Sequence, residues 1–225
     1  MHIEPGVVDG AKILLSYGTA AGALGLSARL VRDAASTTGG AAALALRSLA
    51  TTTLVLGFFE VLPHAPVGVS EVHFILGSTL FLLFGGGAAA IGLALGLLLQ
   101  GLLVAPMDLP QYGMNLTTLL VPLFAISVLA KQIVAPGTAY VDLRYGQALA
   151  LSAAFQGGVV AWVAFWAFYG QGFAASNVAA VTTFGAAYMA VVLVEPLVDL
   201  AVLAAAKAGR RVTASPLFEA RLHAA

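Results

Sequence analysis

From residue 11 to residue 205 the chain is a succession of apolar runs, each about as long as a bilayer is thick and separated by short turn-rich breaks. A spanning helix needs roughly 20 predominantly apolar residues. Seven stretches meet or approach that length: 11–31, 41–62, 73–87, 88–105, 116–135, 147–170 and 178–205. With 60% of its 225 residues hydrophobic and 9% charged, the chain lies outside the range of soluble domains. The expected fold is therefore an all-α integral membrane protein, a bundle of about seven transmembrane helices. The stretch 73–105 could form one long tilted helix, but Gly85-Gly86-Gly87 is a poor helix interior and a good tight turn, so two helices are expected there.

Lysine and arginine set the orientation. Arg29 and Arg32 flank the first connection, Lys131 and Arg144 the fifth, and Lys207, Arg210, Arg211 and Arg221 lie in the tail, while the second, fourth and sixth connections have none. This predicts an N-terminus outside and a C-terminus in the cytoplasm, with only Lys12 against the pattern. The chain then divides into an extracytoplasmic segment over 1–10, a helical bundle over 11–206 and a cytoplasmic tail over 207–225.

The formal net charge is zero and there is no large basic cluster, which argues against nucleic acid as a partner. With no cysteine, thiolate sites and disulfides are excluded, so any metal must be held by nitrogen, oxygen or thioether. No phosphate loop and no nucleophile–base pair is visible, so the chain reads as non-enzymatic and unable to hydrolyse ATP. Glu4 and Asp9 stand where a cleavable signal peptide would carry basic residues, so the first helix and Met1 are expected to stay.

The polar lead Met1-His2-Ile3-Glu4-Pro5-Gly6-Val7-Val8-Asp9 places three nitrogens in a row. The α-amine of Met1, the amide of His2 and the Nδ1 of His2 can close a five-membered and a six-membered chelate ring around one divalent ion. Those donors lie nearly in a plane, and a fourth nitrogen would complete a square-planar set, which suits Ni(II) or Cu(II). Zinc prefers a tetrahedron. The outward connection Pro63 to His73 carries two histidines that could supply the fourth nitrogen. His73 is favoured because it is expected to open the third helix and so to have a rigid mount; His64 competes with it.

Several short motifs resemble a known family. Met1-His2-Ile3, Gly68-Val69-Ser70-Glu71-Val72-His73, Phe84-Gly85, Gln100-Gly101-Leu102-Leu103 and Gly113-Met114-Asn115 are similar to the substrate-binding membrane component of cobalt and nickel energy-coupling factor transporters, the CbiM/NikM-like proteins. The resemblance covers the whole chain in layout and about a third of it in motif, and extends loosely to Ala190 through Glu195. It implies a metal bound by Met1, His2 and the loop residue His73, with the N-terminal segment tucked into the bundle. It also implies a transmembrane coupling subunit, cytoplasmic ATPase subunits and a small accessory membrane subunit as partners, in the cytoplasmic membrane of a bacterium or archaeon. Pro106, Tyr188 and Pro196 depart from the family pattern, which marks a divergent branch and leaves the choice of metal open.

Other polar residues sit within the apolar runs. Glu195 and Asp199 are spaced i, i+4 on one face of the last helix, and an ion pair of either with Arg47 is expected as a structural clasp. Gln100 and Asn115 could accept the second N–H of a metal-bound imidazole or simply join helices. In the first helix, Gly18 with Gly22 and Ala21 with Gly25 form small-residue faces that could pack within the bundle or against a coupling subunit. The function expected is capture of Ni(II) or Co(II) for an ATP-driven importer, with no prosthetic group. A structural or sensory membrane subunit, or a capture subunit for an organic vitamin, is the alternative.

Overall fold

The computed structural model describes residues 3–36 and 39–223. Seven helices of eight residues or more run along the described chain: α1 (Leu14–Ala35), α2 (Gly40–Val61), α3 (Gly77–Phe84), α4 (Gly86–Leu103), α5 (Tyr112–Ile133), α6 (Tyr145–Gln171) and α7 (Ala175–Ala208). Five of them are long and apolar enough to cross a membrane, namely α2, α4, α5 with its leading turn, α6 and α7. The protein is thus an all-α, multi-pass membrane protein. By length α1 also suffices, since 22 residues at the helical rise reach about 33 Å.

In the bundle, α4 and α5 lie at the middle, with α2 packed on α4, α1 on both, and α6 then α7 beyond α5. The short α3 occupies the centre, where it touches α2, α4, α5, α6 and α7. Seven of its eight residues are buried. At about 12 Å it reaches less than half of a hydrocarbon core, so it does not span. The break after it falls at Gly85, whose φ of +84° is in the region that favours glycine, so the chain turns back into α4 where the triple glycine predicted a split.

One expectation fails at the start of this element. His73 does not open a helix; it ends a strand, and the helix begins only at Gly77. Residues His64–Val67 (β1) and Ser70–His73 (β2) form an antiparallel hairpin that pairs His64 with His73. Gly68 turns it at φ +64°, and a Cβ there would collide with the carbonyl of Ala180 on α7. Past β2, Leu76 takes a left-handed conformation with φ +54°, which keeps a helix from running back through Phe74 and Ile75. The chain from Gly68 to Thr79 therefore lies alongside α7 from Ala180 to Asp199.

The clasp expected between Arg47 and the α7 acids is also absent. Arg47 reaches the tail instead, with Nη1 3.1 Å from Glu219 Oε2 and Nε donating to the Pro216 carbonyl at 2.9 Å. Glu219 in turn gives its backbone N–H to the Leu83 carbonyl at the end of α3. Leu222 is buried, and Phe218 stacks on Phe84 with centroids 5.5 Å apart. The tail thus folds under α3 rather than hanging free, and it takes the arginine that the acids were expected to use.

Candidate metal centre

At the other end of the bundle, the N-terminal segment enters the structure at its first described residue. Ile3 is fully buried, forms an isolated bridge with Ser70, and donates its N–H to Asn115 Oδ1 at 3.0 Å. Glu4 N–H donates to the Val69 carbonyl at 3.2 Å, which makes the segment a partial third strand on the hairpin. Val7 and Val8 are buried farther on, where the absent side chain of Gly170 leaves room for the Val7 carbonyl. Lys12 closes the segment by donating from Nζ to the Gly170 carbonyl at 2.6 Å. Met1 and His2, two of the three expected ligands, lie outside the described residues.

His73, the third, is buried at 1% exposure at the inner end of β2. Its Nε2 lies 2.7 Å from Glu71 Oε2. The two side chains share one face of the strand because they are two residues apart. With the Nε2–H donating to this carboxylate, Nδ1 is the basic nitrogen of the ring. That carboxylate-to-imidazole arrangement fixes the tautomer and raises the basicity of a metal-binding histidine. Phe59 meets the ring edge-on at 5.7 Å, and the Tyr188 hydroxyl donates to the His73 carbonyl at 3.4 Å. Tyr188, one of the departures from the family pattern, therefore braces the backbone of the ligand candidate.

His64 stands in a different role. Its ring stacks on that of His73 with centroids 4.9 Å apart and planes 6° from parallel, and its Nδ1 contacts the Leu62 carbonyl at 3.1 Å. It is exposed and covers the buried imidazole. Gln100 donates from Nε2 to Glu60 Oε1 at 2.8 Å, so it joins α4 to α2. Asn115 accepts the Ile3 N–H through its Oδ1 at 3.0 Å.

The surroundings are acidic. Burial pushes the Glu4 carboxyl above its usual range, and the nearby charges of Glu71 and Asp108 push it further. Three carboxylates gathered at the place where the N-terminal segment meets the hairpin would favour a divalent cation over an anion. Among the described residues no group of three histidines or acids could hold a metal by itself. Glu71 was missed from sequence because Ser70-Glu71-Val72-His73 is too short and too polar to signal the strand that puts it beside His73.

Comparison with curated proteins and with solved structures finds no match. The CbiM family, described as the cobalt uptake substrate-specific transmembrane region, matches residues 2–212. With the match running from the N-terminal segment through all seven helices, the chain belongs to this family of cobalt uptake transmembrane components.

Proposed function

We propose that the chain is the substrate-capture subunit of an energy-coupling factor importer for Co(II) or Ni(II), binding the ion through the Met1 amine, the His2 amide and imidazole, and His73. The observation that carries this reading is the anchoring of Ile3. A buried side chain, a bridge to Ser70 and a bond to Asn115 bring the chain against the base of the hairpin that ends in His73. The pairing of His73 with Glu71 prepares that imidazole for a metal. The family description favours cobalt as cargo, whereas four nitrogens in a plane favour nickel on geometry.

The chain carries no motif for ATP hydrolysis, so uphill transport would draw on cytoplasmic ATPase subunits through a membrane coupling subunit, with a small accessory membrane subunit beside them. One face of α1 suits such docking. A Cβ built on Gly18, Gly22 or Gly25 meets nothing within 4 Å, so these small residues are left open by the bundle itself. The membrane would be the cytoplasmic one of a bacterium or archaeon, with the hairpin outside and the arginine-rich tail inside.

Replacement of His2 by glutamine tests the reading directly. It keeps the amino end and a side chain of similar length but removes the imidazole that closes the second chelate ring, and bound Ni(II) and Co(II) on the purified protein should fall to background. Unchanged metal content would point to a structural subunit or to a vitamin as the captured substrate.

A further inference from the structure

The polar side chains that the metal centre does not use converge deeper in the bundle, between α3, α6 and α7. Tyr188, Glu195 and Asp199 are all buried on the inner face of α7, at spacings of seven and four residues. Glu195 therefore lies about 10 Å along the helix from Tyr188, the residue that touches His73. Among the described residues neither acid has an ion-pair partner, since Arg47 is committed to Glu219.

Three side chains donate to the acids instead. Ser78 Oγ lies 3.1 Å from Glu195 Oε1 and 2.7 Å from Asp199 Oδ2, the Thr79 hydroxyl donates to Asp199 Oδ1, and the Gln156 amide donates to Glu195 Oε2. A serine has one hydroxyl hydrogen, so Ser78 serves only one of its two carboxylates at a time. Four carboxylate oxygens thus share three side-chain hydrogens, with the Ser78 backbone N–H as one further donor to Glu195.

An independent observation points the same way. Gln156 is fully buried, its amide nitrogen is already at the pair, and among the described residues its Oε1 has no hydrogen-bond partner. One turn away on the same face of α6, the Ser152 hydroxyl is fully buried and also has no partner among the described residues. Buried polar atoms normally find partners. Here oxygen acceptors outnumber donors around two acids that have no counter-charge.

We propose that Glu195, Asp199, Ser78, Thr79 and the Gln156 carbonyl form a second cation site, for a divalent ion held entirely by oxygen. Two carboxylates match the charge of such an ion, and hydroxyl and amide oxygens complete a shell that suits Mn(II), Mg(II) or Ca(II). A nitrogen chelate at the N-terminus makes the opposite choice, so the two sites select different ions. Because α3 supplies Ser78 and Thr79 from its first turn, the ion would tie this buried helix to α6 and α7. Through Phe74–Leu76 it would also steady the hairpin that carries His73.

Mn(II) is the probe. It has the weakest preference for nitrogen in the first-row series and so reports oxygen sites selectively. Titrated onto the full chain in lipid nanodiscs and followed by electron paramagnetic resonance, one Mn(II) should bind saturably. Glu195→Gln combined with Asp199→Asn should abolish that binding while the nickel absorbance of the N-terminal centre stays unchanged, which also serves as the folding control. Should the double variant lose the nickel signal as well, Gln156→Leu decides. Weakening of Mn(II) binding by roughly tenfold or more supports the site, and unchanged affinity overturns it. Absence of saturable Mn(II) binding to the unaltered chain would also overturn it and leave the acids held by protons alone. Neither result bears on the N-terminal centre, which is tested by nickel and His2→Gln.

Discussion

At the scale of single side chains, the two stacked imidazoles divide the work of the hairpin between them. His73 is buried and bound to Glu71, so it carries the oriented nitrogen, whereas His64 is exposed and only covers it. His73→Ala should abolish high-affinity metal binding, and His64→Ala should weaken it only slightly, as read by calorimetry with Ni(II) and Co(II). Glu71→Gln keeps the shape but removes the carboxylate that fixes the tautomer, and should lower affinity by about 10–100-fold. Asn115→Ala leaves the Ile3 N–H buried without its acceptor, at a cost of about 1–3 kcal/mol. Because that cost falls on the anchored segment, faster hydrogen exchange at Ile3 should accompany it.

Among the elements, the hairpin and α3 form one insertion that runs down the inner side of α7, and one glycine sets its fit while another seats the N-terminal segment beside it. Gly68 turns the hairpin at φ +64° against the Ala180 carbonyl, and Gly170 leaves room for the Val7 carbonyl of the N-terminal segment. Gly68→Ala combines a strained backbone with a collision, so it should lower the thermal midpoint as well as metal affinity. Gly170→Ala displaces only the N-terminal segment. It should reduce metal affinity while leaving helix content by circular dichroism unchanged, and equal loss of both would contradict the separate anchoring described for Val7. Much of the insertion was legible in outline, since the break at Gly85 follows from three consecutive glycines. The hairpin was not, because its strands are four residues each, too short for periodicity to separate them from a loop.

For the molecule as a whole, the tail closes the end of the bundle opposite the hairpin. Arg47, Glu219 and the Leu83 carbonyl join α2, the tail and α3, and Arg221 donates to the Val134 and Ala135 carbonyls at 3.2 and 3.0 Å. Arg221 also lies over the Tyr140 ring at 5.1 Å, where burial raises the phenol and the guanidinium lowers it in part. Arg47→Ala should free the tail, seen as rapid trypsin cleavage at Arg221 in the intact chain with the metal centre still functional. Resistance equal to that of the unaltered protein would mean that Leu222 and Phe218 hold the tail without the ion pair.

Apolar run length alone determined that this chain is a helical membrane protein and where most helices begin and end, because a bilayer admits few other solutions for such segments. The row of nitrogens at Met1 and His2 likewise raised a chelating end from local chemistry. Only the tertiary structure decided which distant groups meet: Asn115 at Ile3, Glu219 rather than Asp199 at Arg47, and Ser78 and Gln156 at the α7 acids. Those partners are separated by up to 172 residues, and spacing along a helix carries no information about which face a different helix will present to it.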